Sequence, residues 1–349
     1  MTLRIPADNG ARGVAEDDAP VFSVVVPVFN EAEVLDEFHR RLSSVMARMG
    51  AWEVIYVNDG STDETLALLT SLRAADPSVG VLNLARNFGK EVAMTGGLDH
   101  ARGRAVVVID ADLQDPPELI EGLVAEWRAG YDVVYAQRRA RSGETWLKTA
   151  TAGAFYSLMQ RVGHVHMPRD TGDFRLMSRR VVQAVVSLRE HHRFMKGLFA
   201  WVGFPSKAVL YDRAPRYAGT TKWNYWRLWN FALEGVTSFT VVPLRLATYI
   251  GLFVASLSVF YGTVIVLRAL LFGNPVAGYP SLMTVILFLG GVQLMTLGVI
   301  GEYLGRVFNE TKQRPLYIVE RFLHSDASGY GKSNARHRPS GEIDENVDK

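Results

Sequence analysis

Hydrophobic positions divide the chain into two regimes. Between residues 22 and 210, short apolar runs alternate with amphipathic stretches, whereas beyond residue 244 apolar residues continue almost unbroken. In the first regime, runs at 22–27, 53–57, 79–84, 105–109 and 132–136 are rich in Val and Ile and bounded by Gly, Pro, Asn or Asp, which predicts buried strands. The intervening segments 31–49, 62–75, 89–101 and 117–129 carry a helical period. Such strand–helix alternation predicts an α/β domain with a mostly parallel sheet and helices on both faces. Ser61-Thr62-Asp63-Glu64 has the Ser-x-x-Glu spacing of a capping box and predicts the start of the second helix.

The second regime holds two apolar stretches, 244–272 and 282–308, each longer than the roughly 20 residues a helix needs to cross a bilayer. Neither lies at the N-terminus, which argues against a signal peptide. The connector 273–280 has no Lys or Arg, while Arg245 lies on one outer flank and Arg306, Lys312 and Arg314 on the other. The positive-inside rule then predicts a two-helix hairpin in the cytoplasmic membrane, multi-pass, with both termini and the catalytic domain in the cytoplasm. Arg268, near the external end of the first span, fits if it snorkels to the interface. Two spans with few internal charges read as an anchor rather than a transport pathway. Residues 144–162 and 222–242 mix Trp, Tyr and Phe with Lys and Arg, and read either as helices lying in the headgroup layer or as ordinary core packing. The expected layout is a polar disordered tail over 1–20, a catalytic domain over 21–215, and an amphipathic juxtamembrane segment over 216–243. The hairpin over 244–308 follows, then a cytoplasmic segment and disordered tail over 309–349.

Composition narrows the chemistry. The formal charge of +2 offers no broad basic field for nucleic acid. The absence of Cys removes thiol nucleophiles, disulfides and Cys-ligated metals. His191-His192 and His164-x-His166 lack metal-site spacing and read as loop residues. The acids are more informative. In Val106-Val107-Val108-Ile109-Asp110-Ala111-Asp112-Leu113-Gln114-Asp115-Pro116-Pro117 an apolar strand ends abruptly in two carboxylates spaced i, i+2. Ionised carboxylates at a buried strand end are costly unless paired or bound to a cation, although an isolated Asp-x-Asp also fits a simple turn. Two other strands end comparably, in Val26-Pro27-Val28-Phe29-Asn30-Glu31 and Tyr56-Val57-Asn58-Asp59-Gly60-Ser61. In a doubly wound sheet these carboxyl ends share one edge, where ligands bind. Such an edge suits a nucleotide sugar, with a cleft for base and ribose and a hard divalent ion against the diphosphate. No Gly-x-Gly-x-x-Gly follows the first strand and no P-loop occurs, so dinucleotide and P-loop readings lose their support.

These three motifs, in this order, resemble glycosyltransferase family 2 with its GT-A fold, a Rossmann-like sheet. Within it the chain is similar to the polyprenyl-phosphate glycosyltransferases, which include dolichol-phosphate mannosyltransferase and the bactoprenol glucosyltransferases. Arg86-Asn87-Phe88-Gly89-Lys90-Glu91, Thr171-Gly172-Asp173-Phe174-Arg175-Leu176, Arg193-Phe194-Met195-Lys196-Gly197-Leu198-Phe199 and the hairpin favour the bactoprenol branch. The resemblance implies that Pro27, Phe29, Glu31, Asp59 and Asp110 line the nucleotide site, and that Asp110, Asp112 and Gln114 hold Mg²⁺ or Mn²⁺ against the diphosphate. Arg216 and Lys222, in Arg-x-x-Gly-x-Thr-Lys, match a phosphate-binding segment in which the family has Ser for Thr221. Arg138 and Arg175 are candidates for the acceptor phosphate. Asp173 is a candidate catalytic base or acceptor-orienting residue, or else a structural partner of an arginine. The implied reaction is inverting transfer of a sugar from a nucleotide sugar to polyprenyl (undecaprenyl) phosphate. UDP-glucose is the first expectation, with UDP-N-acetylglucosamine, another UDP-sugar or GDP-mannose as alternatives, and a homotetramer is the implied assembly. A non-catalytic membrane scaffold is the competing class. The processive synthases of the same fold carry a Gln-x-x-Arg-Trp motif that is missing here.

Overall fold

The valine-rich runs pair into one eight-stranded sheet in a computed structural model that describes residues 21–139, 171–191, 193–212, 242–272 and 278–326. In chain order the strands are β1 (Phe22–Val28), β2 (Trp52–Asn58), β3 (Val79–Leu84), β4 (Ala105–Val108), β5 (Val133–Arg138), β6 (Thr171–Ser178), β7 (Ser206–Tyr211) and β8 (Val319–Leu323). They lie side by side as β7-β5-β6-β4-β1-β2-β3-β8. The pairs β4–β1, β1–β2, β2–β3 and β5–β7 are parallel, while β6 and β8 run antiparallel to their neighbours. The five expected strands are therefore present, with β3 as expected and the other ends displaced by at most two residues. Strands β6, β7 and β8 add to them.

The helices are α1 (Leu35–Met46), α2 (Thr65–Ala75), α3 (Lys90–His100), α4 (Ile120–Arg128, entered through a 3₁₀ turn at Pro117–Leu119), α5 (Arg179–Ser187) and α6 (Met195–Trp201). Every residue of β1 is buried, because both sheet faces are covered. Phe22, Val24, Val26 and Val28 join a core with Leu35, Phe38 and Leu42 of α1 and Ile120, Leu123 and Val124 of α4. Val25 points to the other side, where Ala93, Met94 and Leu98 of α3 meet Val181, Val182 and Val185 of α5. The approach of α3 to the sheet is so close that a Cβ on Gly97 would come within 2.2 Å of Val25 Cγ1.

The capping box does not form. Helix α2 starts at Thr65, with Glu64 at its N-cap, and the Asp63 carboxylate accepts the Thr65 N–H instead. Ser61 is engaged elsewhere: its hydroxyl accepts the Asn30 N–H at 3.0 Å, and Asn30 Oδ1 accepts the Thr62 N–H at 2.9 Å. These two bonds tie the loop after β1 to the loop after β2. The sequence pattern thus serves the cleft rim rather than the helix end.

Beyond the domain, α7 (Val242–Phe272) and α8 (Tyr279–Thr311) pack against one another. Both carry exposed apolar side chains, among them Phe253, Phe260, Leu271, Leu294 and Leu297. Two spans are expected from the sequence; among the described residues, one segment, Phe288–Thr311, is long and apolar enough to cross a membrane by length and composition. The chain then returns to the sheet. Strand β8 covers the outer edge of β3, and Glu310 of α8 accepts the His191 N–H at 2.7 Å.

The return is fastened by a buried carboxylate. Glu53 is 1% exposed and accepts Ser23 Oγ at 2.7 Å, Arg102 N at 2.9 Å, Arg102 Nη2 at 2.5 Å and Ser325 Oγ at 2.8 Å. Burial alone would raise its pKa, but the Arg102 guanidinium and these donors outweigh burial and lower it. Its stabilisation is therefore complete above the ordinary glutamate range and is lost as pH falls through the lowered folded value. Glu53→Ala removes the buried acceptor shared by Ser23, Arg102 and Ser325 and is expected to cost about 3–5 kcal/mol, read as a fall in thermal midpoint that narrows toward acid pH. An unchanged midpoint at neutral pH would show that the network carries no stability.

The tails over 1–20 and 327–349, the amphipathic stretch 144–162 and most of 222–242 lie outside the described residues, as do Arg216, Thr221 and Lys222.

Candidate active site

Three parallel strands deliver the site. Because β4, β1 and β2 are neighbours running in one direction, the segments following them emerge along one edge. The cleft there is lined by Pro27, Val28, Phe29, Glu31, Asp59, Asn87, Lys90, Ala93, Asp110, Ala111 and Asp112. Six residues singled out from sequence meet in it: Pro27, Phe29, Glu31, Asp59, Asp110 and Asp112. Phe29 is 42% exposed, an aromatic face open to solvent at the cleft.

Asp59 occupies the floor. Its carboxylate accepts the backbone N–H of Phe88 at 2.7 Å and of Gly89 at 2.9 Å. Burial raises its pKa against those two donors. Next to it, Gly60 has φ +65°, and a Cβ there would sit 2.5 Å from Asn87 N, so only glycine lets the two loops meet. The carboxylate thereby fixes the peptide that opens α3, whose first residue is Lys90.

Lys90 is the residue that sequence reasoning passed over. Its Nζ lies 2.7 Å from Asp110 Oδ2 and 2.6 Å from Asp173 Oδ2. Antiparallel β6 makes this contact possible: Val108, the last residue of β4, pairs with Arg175, so two residues beyond β4 and two back on β6 bring Asp110 and Asp173 to the same place. Burial alone would lower the Lys90 pKa, but the two carboxylates outweigh it and raise it well above the usual lysine range. For Asp110, burial outweighs the lysine and the pKa is raised. For Asp173, burial is outweighed by Lys90 and Lys196, and the carboxyl is held well below its usual range.

The remaining candidates occupy different settings. Gln114 is 7% exposed behind the cleft; its N–H donates to Asp112 Oδ1 at 3.1 Å, and its Oε1 is buried with no hydrogen-bond partner among the described residues. Leu113 between them adopts φ +58°, a left-handed conformation that a leucine takes only when its surroundings enforce it. Arg175 is buried; it donates to the carbonyls of Gly172 and Asp173 and stacks 3.9 Å over the Phe199 ring. Burial lowers its pKa to about 10. It thus holds the backbone of Asp173, while the carboxylate of Asp173 pairs with Lys90. Arg138, half-buried at the end of β5, lies 3.4 Å from the Tyr211 hydroxyl, which donates to Asp115. Glu91, beside Lys90, is pushed up to about 7, chiefly by burial.

Among the described residues no three acids or histidines are grouped to hold a metal on their own. The donor set nevertheless fits a hard divalent ion. Asp110 and Asp112 bring two carboxylates, the buried Gln114 Oε1 lacks a donor, and magnesium sites typically combine one or two carboxylates with substrate phosphates and water.

Comparison with known proteins identifies the family. Residues 23–186 match Glycosyl transferase family 2, and residues 242–307 match the GtrB C-terminal hairpin, which together with the apolar segment of α8 associates the chain with a membrane. An uncharacterized glycosyltransferase of Synechocystis sp. is 54% identical over 298 residues, 85% of this chain and 94% of that protein. The SfII prophage-derived bactoprenol glucosyl transferase of Shigella flexneri is 50% identical over 300 residues, 86% of this chain and 97% of its own. The prophage bactoprenol glucosyl transferase homolog of Escherichia coli strain K12 is 49% identical over 301 residues, 86% of this chain and 98% of its own. A matched catalytic domain, a matched hairpin and this identity over nearly whole relatives establish that the chain is a glycosyltransferase belonging to glycosyl transferase family 2.

Proposed function

We propose that the protein transfers glucose from UDP-glucose to bactoprenol (undecaprenyl) phosphate at the cytoplasmic face of the membrane, with inversion at the anomeric carbon. The observation that carries this reading is the 50% identity to a bactoprenol glucosyl transferase over 86% of the chain, hairpin included. The cleft supports it with a solvent-open aromatic at Phe29, acids at Glu31 and Asp59 for the nucleoside, and Asp110 and Asp112 for the diphosphate.

Asp110, Asp112 and Gln114 would hold Mg²⁺ or Mn²⁺, which supplies Lewis-acid neutralisation of the departing diphosphate. The acceptor phosphate is already anionic at neutral pH, so its oxygen attacks C1 of the sugar without prior loss of a proton. As that bond forms, the bond from C1 to the diphosphate oxygen breaks and UDP leaves, converting an α-linked donor into a β-linked product. Asp173, held ionised by Lys90, is unsuited to accept a proton and suits orientation of the acceptor side. Arg138, with Arg216 and Lys222 by family resemblance, would offset the repulsion between two phosphates. In this reading the acceptor's polyprenyl tail stays in the bilayer and both α7 and α8 cross it; their lengths of 31 and 33 residues, against an apolar thickness of roughly 30 Å, support the second span beside the apolar segment of α8. A homotetramer remains part of this reading.

Incubation of the full-length protein with radiolabelled UDP-glucose and undecaprenyl phosphate, followed by organic extraction, tests it. Label is expected in the lipid phase, with release of UDP. Preferential label from UDP-N-acetylglucosamine or GDP-mannose would reassign the sugar, and no lipid label from any donor would overturn the acceptor.

A further inference from the structure

We infer that Lys90 is an internal counter-cation that bars a bare divalent ion from the donor site, so that metal and nucleotide enter together. The inference rests on the metal reading of Asp110 and Asp112 proposed above and adds a residue with no role in it. Lys90 Nζ sits 2.7 Å from Asp110 Oδ2, which lines the cleft, and 2.6 Å from Asp173 Oδ2 on the neighbouring strand β6. Both contacts are charge-assisted and short, so the ammonium neutralises the very carboxylate a cation would need. Asp112 stands two residues away with the Gln114 amide on its Oδ1.

Lys90 is also not free to drift. It is the first residue of α3, and the preceding Phe88 and Gly89 amides are both bound by the Asp59 carboxylate. Asp59 lines the same cleft, so the nucleoside end and the cation end share one short, fastened segment. A diphosphate arriving with its cation brings anionic oxygens that replace Asp110 as partners of the ammonium. A bare cation brings no such replacement and meets a like charge. Once Asp110 is engaged, Lys90 retains Asp173 and keeps that carboxylate in place on the acceptor side. Lys90 is thus a positioning residue that couples the two half-sites.

The test measures Mn²⁺ binding by electron paramagnetic resonance on the full-length protein without nucleotide, alongside Mn²⁺·UDP binding by calorimetry and thermal midpoints. At about 5 Å in water a unit charge acting on a divalent ion is worth roughly tenfold in affinity. Lys90→Met should therefore bind Mn²⁺ alone at least about tenfold more tightly than the parent, and Lys90→Arg should bind it like the parent. Transfer by Lys90→Met should fall although its cation affinity rises, a combination that simple misfolding does not produce. Asp112→Asn separates the two readings. If Asp112→Asn weakens Mn²⁺·UDP binding while Lys90→Met leaves Mn²⁺ affinity unchanged or lower at a parental midpoint, the counter-cation role fails. If Asp112→Asn has no effect on Mn²⁺·UDP binding, the metal reading itself fails. Should Lys90→Met not fold, Lys90→Gln with the same measurements decides, since it removes the charge and keeps a hydrogen-bond donor.

Discussion

Asp112→Asn is expected to lower sugar transfer by about 10²–10³-fold and to abolish the dependence of UDP-sugar binding on divalent cation. The substitution is close to isosteric, so the Gln114 N–H keeps an acceptor at the same distance and the Leu113 turn keeps its shape. What disappears is the negative charge of one of the two carboxylates, Asp110 and Asp112, that follow β4. Asp110 then remains as a single carboxylate, too little charge to hold the cation alone, and in the absence of nucleotide Lys90 competes for its Oδ2. Binding of UDP-glucose measured with and without Mg²⁺ or Mn²⁺ checks this directly. A variant whose affinity still responds to the cation as the parent's does would remove Asp112 from the metal site.

The same residues explain what the sequence could and could not disclose. Strands β1, β2 and β4 are continuous valine-rich runs buried on both faces, so apolar pattern alone located them and therefore located the polar residues that follow. Phe29, Glu31, Asp59, Asp110 and Asp112 were legible because each follows such a run within a few residues, and Pro27 because it closes the first one. Lys90 was not. Its motif was visible, but its role depends on antiparallel β6 entering between β4 and β5, a pairing across more than sixty residues of chain that no local period encodes. Strand β6 itself mixes Asp173 and Arg175 into its apolar residues, which hides it from a strand pattern. Strand β8 is hidden for the same reason: Val319, Arg321 and Leu323 alternate with Glu320 and Phe322, with no apolar face. The capping-box spacing at Ser61 misled because a nearby loop offered the hydroxyl a different donor. Local signals hold until a tertiary partner competes for the same atom.

The hairpin carries the second large expectation. With residues 242–311 replaced by a flexible Gly/Ser linker and residues 312–326 retained, UDP-glucose binding should change less than about twofold, while transfer to undecaprenyl phosphate in liposomes falls by about 10²-fold or more. The factor comes from effective concentration: an acceptor confined to the bilayer and an enzyme confined to its surface meet far more often than an enzyme free in solution does. A water-soluble short-chain prenyl phosphate has no such confinement, and transfer to it should survive the replacement. Retaining the final segment is essential to the design. A simple truncation after residue 241 would strip β8 from β3 and remove Ser325 from Glu53, confounding loss of anchoring with loss of stability. Parental rates on undecaprenyl phosphate in liposomes would overturn the anchoring role. Loss of donor binding together with transfer would instead make the hairpin part of the domain's own support, to which Glu310 at the end of α8 is already joined through His191.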